Sequence, residues 1–290
     1  MLLDVKISGA PHLLPGVTTQ EIHAYRQRVA RPVAELAGYF TGEGHILDEA
    51  RITQHLFPPL DADIFLSHSS VDGDKAIALA IVLERLGLKV FVDSCVWGNV
   101  YDLLKRVDDL RSQKVGGSDA YFYQMTRRTS ASVYMVLNAA LHRMIDHCEM
   151  LLFLDTSSTR VGDVMKDDSC LASPWIFSEL RFATQVARRG CVRHTVVSMD
   201  NYRDLVSPPQ PVIRFSNPGN RHTLPWSTLQ GVLHEAKLLP PTTDRDIRVQ
   251  TVLDEIYRQL DLTPFERHLL GWTGREMEVC GKAGKGRWPR

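Results

Sequence analysis

Met150-Leu151-Leu152-Phe153-Leu154 is a nearly unbroken apolar run, and it constrains the fold more than any other stretch of the chain. A strand with one solvated face alternates polar and apolar residues. A continuous run is what a strand buried on both faces requires, and that is the place of a central strand in a parallel sheet. The flanking segments agree. Residues 130–147 carry Val133, Val136/Leu137, Ala140/Leu141 and Met144/Ile145 at helical spacing, and residues 174–189 again read as a helix.

The same alternation precedes this unit. Ile64–Leu66 reads as a short strand. Gly73–Leu86 reads as a helix with Ile77, Ala80, Ile81 and Leu83 on its apolar face and Gly87 closing its end. Lys89–Asp93 is the next strand, β-branched and ending in an acid. Further on, His194–Met199 and Pro211–Phe215 are expected strands and Arg245–Leu260 a final helix. Repeated βα units imply an α/β fold, a parallel sheet with helices on both faces. Residues 19–38 read as a helix capped by Thr18 or Thr19 and kinked at Pro32. The expected organisation is an N-terminal helical extension over 1–60, a main domain over 61–265 with a long irregular insertion at about 94–129, and a tail over 266–290. The insertion holds Gly116-Gly117 and the aromatic cluster Tyr121-Phe122-Tyr123.

Charge narrows the function classes. Lys+Arg and Asp+Glu number 34 each among 290 residues, so no basic field favours nucleic acid or a membrane surface. The apolar stretch Ala76–Leu83 is too short to span a bilayer, and Met1–Ile7 lacks a signal core, so a cytoplasmic location is expected. Five cysteines without a CxxC pair argue against a disulfide framework or a cysteine zinc site. His142 and His147, five apart, fall on different helix faces, and no metal is expected. The glycine-rich end, Gly281–Gly286, lacks phosphate-loop spacing.

In a parallel α/β sheet, ligands bind at the carboxyl ends of the strands. Ser67–Ser70, Asp93–Trp97 and Asp155–Ser158 should line that rim. Ser67 and His68 are adjacent on a strand and point to opposite faces, which argues against a serine hydrolase pairing, and there is no GxSxG. Trp97 is either packing for the insertion or a stacking surface. In the helix beginning at Ser173-Pro174, the third helical position is Ile176, so Glu179 is not part of a capping box. A solvated glutamate near a helix start is the ordinary reading. Trp175 one turn before it, on the same face, favours a ligand role instead: an aromatic wall beside a carboxylate suits a flat ligand that develops positive charge.

Asp63-Ile64-Phe65-Leu66-Ser67-His68-Ser69-Ser70 resembles box 1 of Toll/interleukin-1 receptor (TIR) domains. Leu88–Asp93 looks like their second strand. Ser173-Pro174-Trp175, with the WxxxE from Trp175 to Glu179, is similar to the helix bearing the catalytic glutamate of TIR-domain NAD+ hydrolases. The resemblance covers roughly residues 60–200 and is nearest to bacterial members. It implies a flavodoxin-like parallel sheet and cleavage of the nicotinamide–ribose bond of NAD+, giving nicotinamide and ADP-ribose or a cyclic isomer, in bacterial antiphage defence signalling. Glu179 would be catalytic, and Ser67, His68, Trp97 and Trp175 would bind substrate. NAD+ would be the substrate, with no further cofactor. Self-association through TIR domains and a separate effector that responds to a cyclic product are the implied partners. Two alternatives are a TIR module that binds other TIR domains without catalysis, as an adaptor or an effector, and, more remotely, an enzyme like the nucleoside deoxyribosyltransferases. The loop after Asp93 is longer than in typical TIR domains.

Overall fold

The computed structural model describes residues 1–11, 14, 16–29, 62–92, 94–95, 104–105, 123–159, 170–171, 173–189, 215–240 and 243–272. In chain order the elements are β1 (Leu3–Ser8), α1 (Thr19–Val29), β2 (Ile64–Ser67), α2 (Gly73–Arg85), β3 (Val90–Val92), α3 (Tyr123–His147) and β4 (Met150–Asp155). They continue with β5 (Cys170–Leu171), α4 (Pro174–Gln185), β6 (Phe215–Ser216), β7 (His222–Pro225), α5 (Trp226–Ala236), α6 (Arg245–Arg258) and α7 (Pro264–Leu269). Five strands form one parallel sheet in the order β3-β2-β4-β1-β7, and β5 pairs antiparallel with β6.

The apolar run at 150–154 is the middle strand of the five, buried along its length. Its alternate side chains feed two cores. Leu152 and Leu154, with Leu66 of β2 and Val5 and Ile7 of β1, pack under α2, α5 and α6. Leu151 and Phe153, with Phe65 of β2, pack under α3 and α4. Helices therefore cover both faces of the sheet, as the continuous apolar run demands.

The N-terminus differs from expectation. Residues 1–60 were expected to pack on the sheet from outside, yet Leu3–Ser8 is its fourth strand, parallel to β4 (Leu3↔Met150 to Ser8↔Asp155) and to β7 (Val5↔His222). Leu3, Val5 and Ile7 fill one core, while Asp4, Lys6 and Ser8 alternate onto the other face. There Asp4 is fully buried and ion-paired with Arg188, beyond the end of α4. Polar residues on one face hid a central strand. Helix α1 is present over Thr19–Val29, while residues 30–38 and the expected kink at Pro32 lie outside the described residues. It is capped by Thr18: the Glu21 N–H donates to Thr18 Oγ1 at 3.2 Å and the Thr18 N–H donates to Glu21 Oε2 at 2.8 Å.

Two other boundaries move. Residues 123–129, expected inside the irregular insertion, begin α3. Residues 266–269, expected in the tail, belong to α7, whose capping box joins Thr263 to Glu266. Glu266 is 2 % exposed and its Oε1 lies 3.0 Å from Nε2 of the buried His222 at the start of β7, so this segment is part of the folded unit. The expected strand His194–Met199 and residues 211–214 of the next lie outside the described residues. No helix among the described residues is long and apolar enough to cross a membrane.

Candidate functional site

The site begins with the direction the chain takes after each strand. After β2 it turns into α2 on one face of the sheet; after β4 it leads to α4 on the other. Neighbouring parallel strands whose chains depart to opposite faces leave a crevice between their carboxyl ends, the place where ligands bind in open α/β sheets. Ser67, paired with Phe153 in register, stands at that crevice.

Strand pleating aims Ser67 at the same face as Phe65, towards α4. Helix α4 starts where the sequence places it. Ser173 is extended (φ −112°, ψ 126°), its Oγ accepts the Ile176 N–H at 3.4 Å, and Pro174 takes the first turn. Ile176, Leu180 and Ala183 bury the core face of this helix. Glu179, one turn after Ile176, is carried inward with them and is 1 % exposed. Ser67 Oγ donates a hydrogen bond to Glu179 Oε2 at 2.5 Å. The solvated-surface reading of Glu179 therefore fails. A carboxylate is tolerated in such a place only when polar groups meet it, and the hydroxyl at the end of β2 does so across 112 residues of sequence.

His68 faces the other way, as its neighbour position requires. It is 5 % exposed. Its Nδ1 donates to the Leu66 carbonyl at 3.3 Å, and in the neutral ring Nε2 accepts from the Ser94 hydroxyl at 2.9 Å. His68 thus ties the end of β2 to Ser94, two residues beyond β3. Trp175 is half-buried with its ring 5.5 Å from Tyr134 of α3. It is the first rung of a seam between α3 and α4. In the second rung Ser178 Oγ donates to Asn138 Oδ1 at 2.6 Å and accepts from His142 Nε2 at 2.9 Å. In the third, the His142 ring stacks on Phe182 at 4.3 Å. Burial holds the His142 pKa below its ordinary value, opposed by the contact with Ser178. The structure therefore brings Ser67 to Glu179 and sends His68 and Trp175 to neighbouring contacts. Trp97 and Asp93 lie outside the described residues.

Sequence reasoning missed Asp72. It sits in a single 3-10 turn, Ser70–Asp72, between β2 and α2. Its Oδ2 accepts from Thr156 Oγ1 at 2.5 Å and from Ser158 Oγ, both in the loop after β4, and its Oδ1 accepts from Lys75 Nζ at 3.0 Å. Burial pushes the Asp72 carboxyl up, but the bonds from Ser158, Thr156 and Lys75 outweigh it and leave the pKa below the usual value. The available signal was a Thr-Ser-Ser-Thr run directly after the central strand, facing an acid directly before a helix. Deeper in the loop, Thr159 Oγ1 donates to the Thr156 carbonyl at 2.7 Å, and Asp155 lies 3.9 Å from Lys6 of β1.

Among the described residues no group of three or more His, Cys, Asp or Glu side chains is placed to hold a metal ion. The chemistry on offer at the ends of β2 and β4 is that of two hydroxyl-held carboxylates, Glu179 on Ser67 and Asp72 on Thr156 and Ser158. No family model, curated protein or solved structure matches the chain.

Proposed function

We propose that this protein is a TIR-type NAD+ glycohydrolase or cyclase, with Glu179 as the carboxylate that faces the ribose. The observation that carries the proposal is the Ser67–Glu179 hydrogen bond, which joins the box 1-like strand end to the WxxxE-like helix at the crevice between β2 and β4.

The chemistry suits a single carboxylate. In NAD+ the nicotinamide nitrogen is already cationic, so it leaves with the C–N electron pair as neutral nicotinamide and needs no general acid. The barrier is the oxocarbenium-like ribose, and a fixed negative charge beside it stabilises that state more than the ground state. Water that adds to the anomeric carbon and loses a proton gives ADP-ribose. A nucleophile from the same molecule gives a cyclic isomer. A role in bacterial antiphage defence, a cytoplasmic location, self-association of TIR domains and an effector that reads a cyclic product belong to the same proposal.

A second reading is supported by the depth of Glu179. A carboxylate that is 1 % exposed and hydrogen-bonded to a strand end also suits a purely structural role in a TIR interaction module. One experiment separates the readings: concentrated protein is incubated with NAD+, or with a deoxynucleoside and no NAD+, and the products are identified by mass spectrometry. Nicotinamide released from NAD+ supports the enzyme. A protein inert to both substrates supports the interaction module, and cleavage of the nucleoside alone supports a deoxyribosyltransferase-like enzyme.

A further inference from the structure

The backbone register that holds β2 to β4 ends at Ser67↔Phe153. Beyond it the two chains part, one towards α2 and one towards α4. The backbone bonds within each loop are internal: the Asp72 N–H donates to the Ser69 carbonyl and the Thr159 N–H to the Thr156 carbonyl. Side chains cross the gap instead. Asp72 of the first loop accepts from Thr156 and Ser158 of the second, beyond the paired ends of β2, which carries Ser67, and β4. In the structure with this clasp made, Glu179 is only 1 % exposed, which is too little for any ligand to touch its carboxylate.

We infer that Asp72 is the latch of this crevice: it fastens the loop after β2 to the loop after β4 and must release Thr156 and Ser158 before a ligand reaches Glu179. The inference rests on the reading of Glu179 as the ligand-facing group. Two features make the latch reversible. Lys75, one turn into α2, contacts the other carboxylate oxygen at 3.0 Å, so Asp72 keeps a cationic partner when the hydroxyls let go. The tip of its loop, Val71, is 81 % exposed and so is not anchored by burial. A ligand that binds only the open form sees its affinity reduced by the fraction of molecules that are open, so weakening the latch tightens apparent binding.

The test reads the accessibility of Glu179 directly. Carbodiimide-driven coupling of glycine ethyl ester to carboxylates, followed by peptide mass spectrometry, reports the labelling rate at residue 179. Asp72→Ala is expected to raise that rate about tenfold, as is the double variant Thr156→Val/Ser158→Ala, which leaves the Asp72–Lys75 pair in place. Asp74→Ala, at an exposed partner of Arg26, is the control and should leave the rate unchanged. If Asp72→Ala does not fold, the double variant decides. A double variant with native melting temperature and a wild-type labelling rate at Glu179 overturns the latch. In the nicotinamide-release assay the same variants should lower KM about tenfold at unchanged kcat, and faster labelling without that fall in an active protein also overturns it. A wild-type protein that releases no nicotinamide refutes the enzyme reading alone, because the labelling result still decides the latch.

Discussion

Glu179 of α4 faces the end of β2, His142 lies in the seam between α3 and α4, and each is a buried polar side chain met by a partner. Glu179 is met by the Ser67 hydroxyl. His142 is held as a neutral ring between Ser178 and Phe182, with its pKa lowered by burial from an ordinary 6.5. A histidine that takes a proton less readily folded than unfolded gives stability that is complete above the unfolded value and is lost as pH falls below it, because the unfolded chain then binds more protons. Melting temperature should therefore decline as pH is lowered from 7 towards the depressed folded value, and His142→Phe should flatten that decline. An identical slope in the variant would exclude His142 as its source. An aromatic one turn before Glu179 was readable in the sequence, since residues four apart share a helix face. The partner of Trp175 was not, because Tyr134 belongs to another helix, and only packing brings α3 against α4.

Elements were legible where local chemistry and period agreed. The end of α2 is an example. Gly87 has φ 95°, and its N–H donates to the Glu84 carbonyl while the Leu88 N–H donates to Leu83, the left-handed closure expected of a glycine after a helix. A Cβ there would lie 3.5 Å from Arg245 Cγ and 3.6 Å from Val249 Cγ2 of α6, ordinary contact, so the penalty of a side chain is conformational. Gly87→Ala should destabilise the fold by about 1–2 kcal/mol, read from urea denaturation. A change below a few tenths would contradict the account. The starts of α1 and α4 were legible for the same reason: Thr18 and Ser173 supply cap oxygens to amides three residues on. The clasp on Asp72 was not, because its donors lie 84 and 86 residues away and come together only when β2 and β4 pair.

The whole molecule depends on a strand that sequence reasoning left outside the sheet. β1 reads as polar every second residue because the sheet face it presents beside α4 is finished by an ion pair rather than by apolar packing. Asp4 is fully buried, and Arg188, 3 % exposed, pairs with it and also donates to the Leu2 carbonyl. That contact ties the segment after α4 to the fourth strand, and so ties the helix bearing Glu179 to the sheet. Removing the cation leaves the buried carboxylate with the Arg221 N–H, 3.0 Å from its Oδ2, but without its ion-pair partner, and Arg188→Ala should destabilise the protein by about 3 kcal/mol in chemical denaturation. A loss under 1 kcal/mol would show the pair to be dispensable. The parallel sheet with helices on both faces was legible from one apolar run and the βα rhythm around it. The crevice at β2 and β4 follows from that order, and with it the meeting of Ser67 and Glu179. The measurement that tests the central claim most directly is nicotinamide release from NAD+ by the wild type and by Glu179→Gln, a change that keeps shape and hydrogen bonding but removes the charge. The account predicts that the variant melts near the wild-type temperature and loses at least about 100-fold in rate. An equally active, folded Glu179→Gln protein would contradict it.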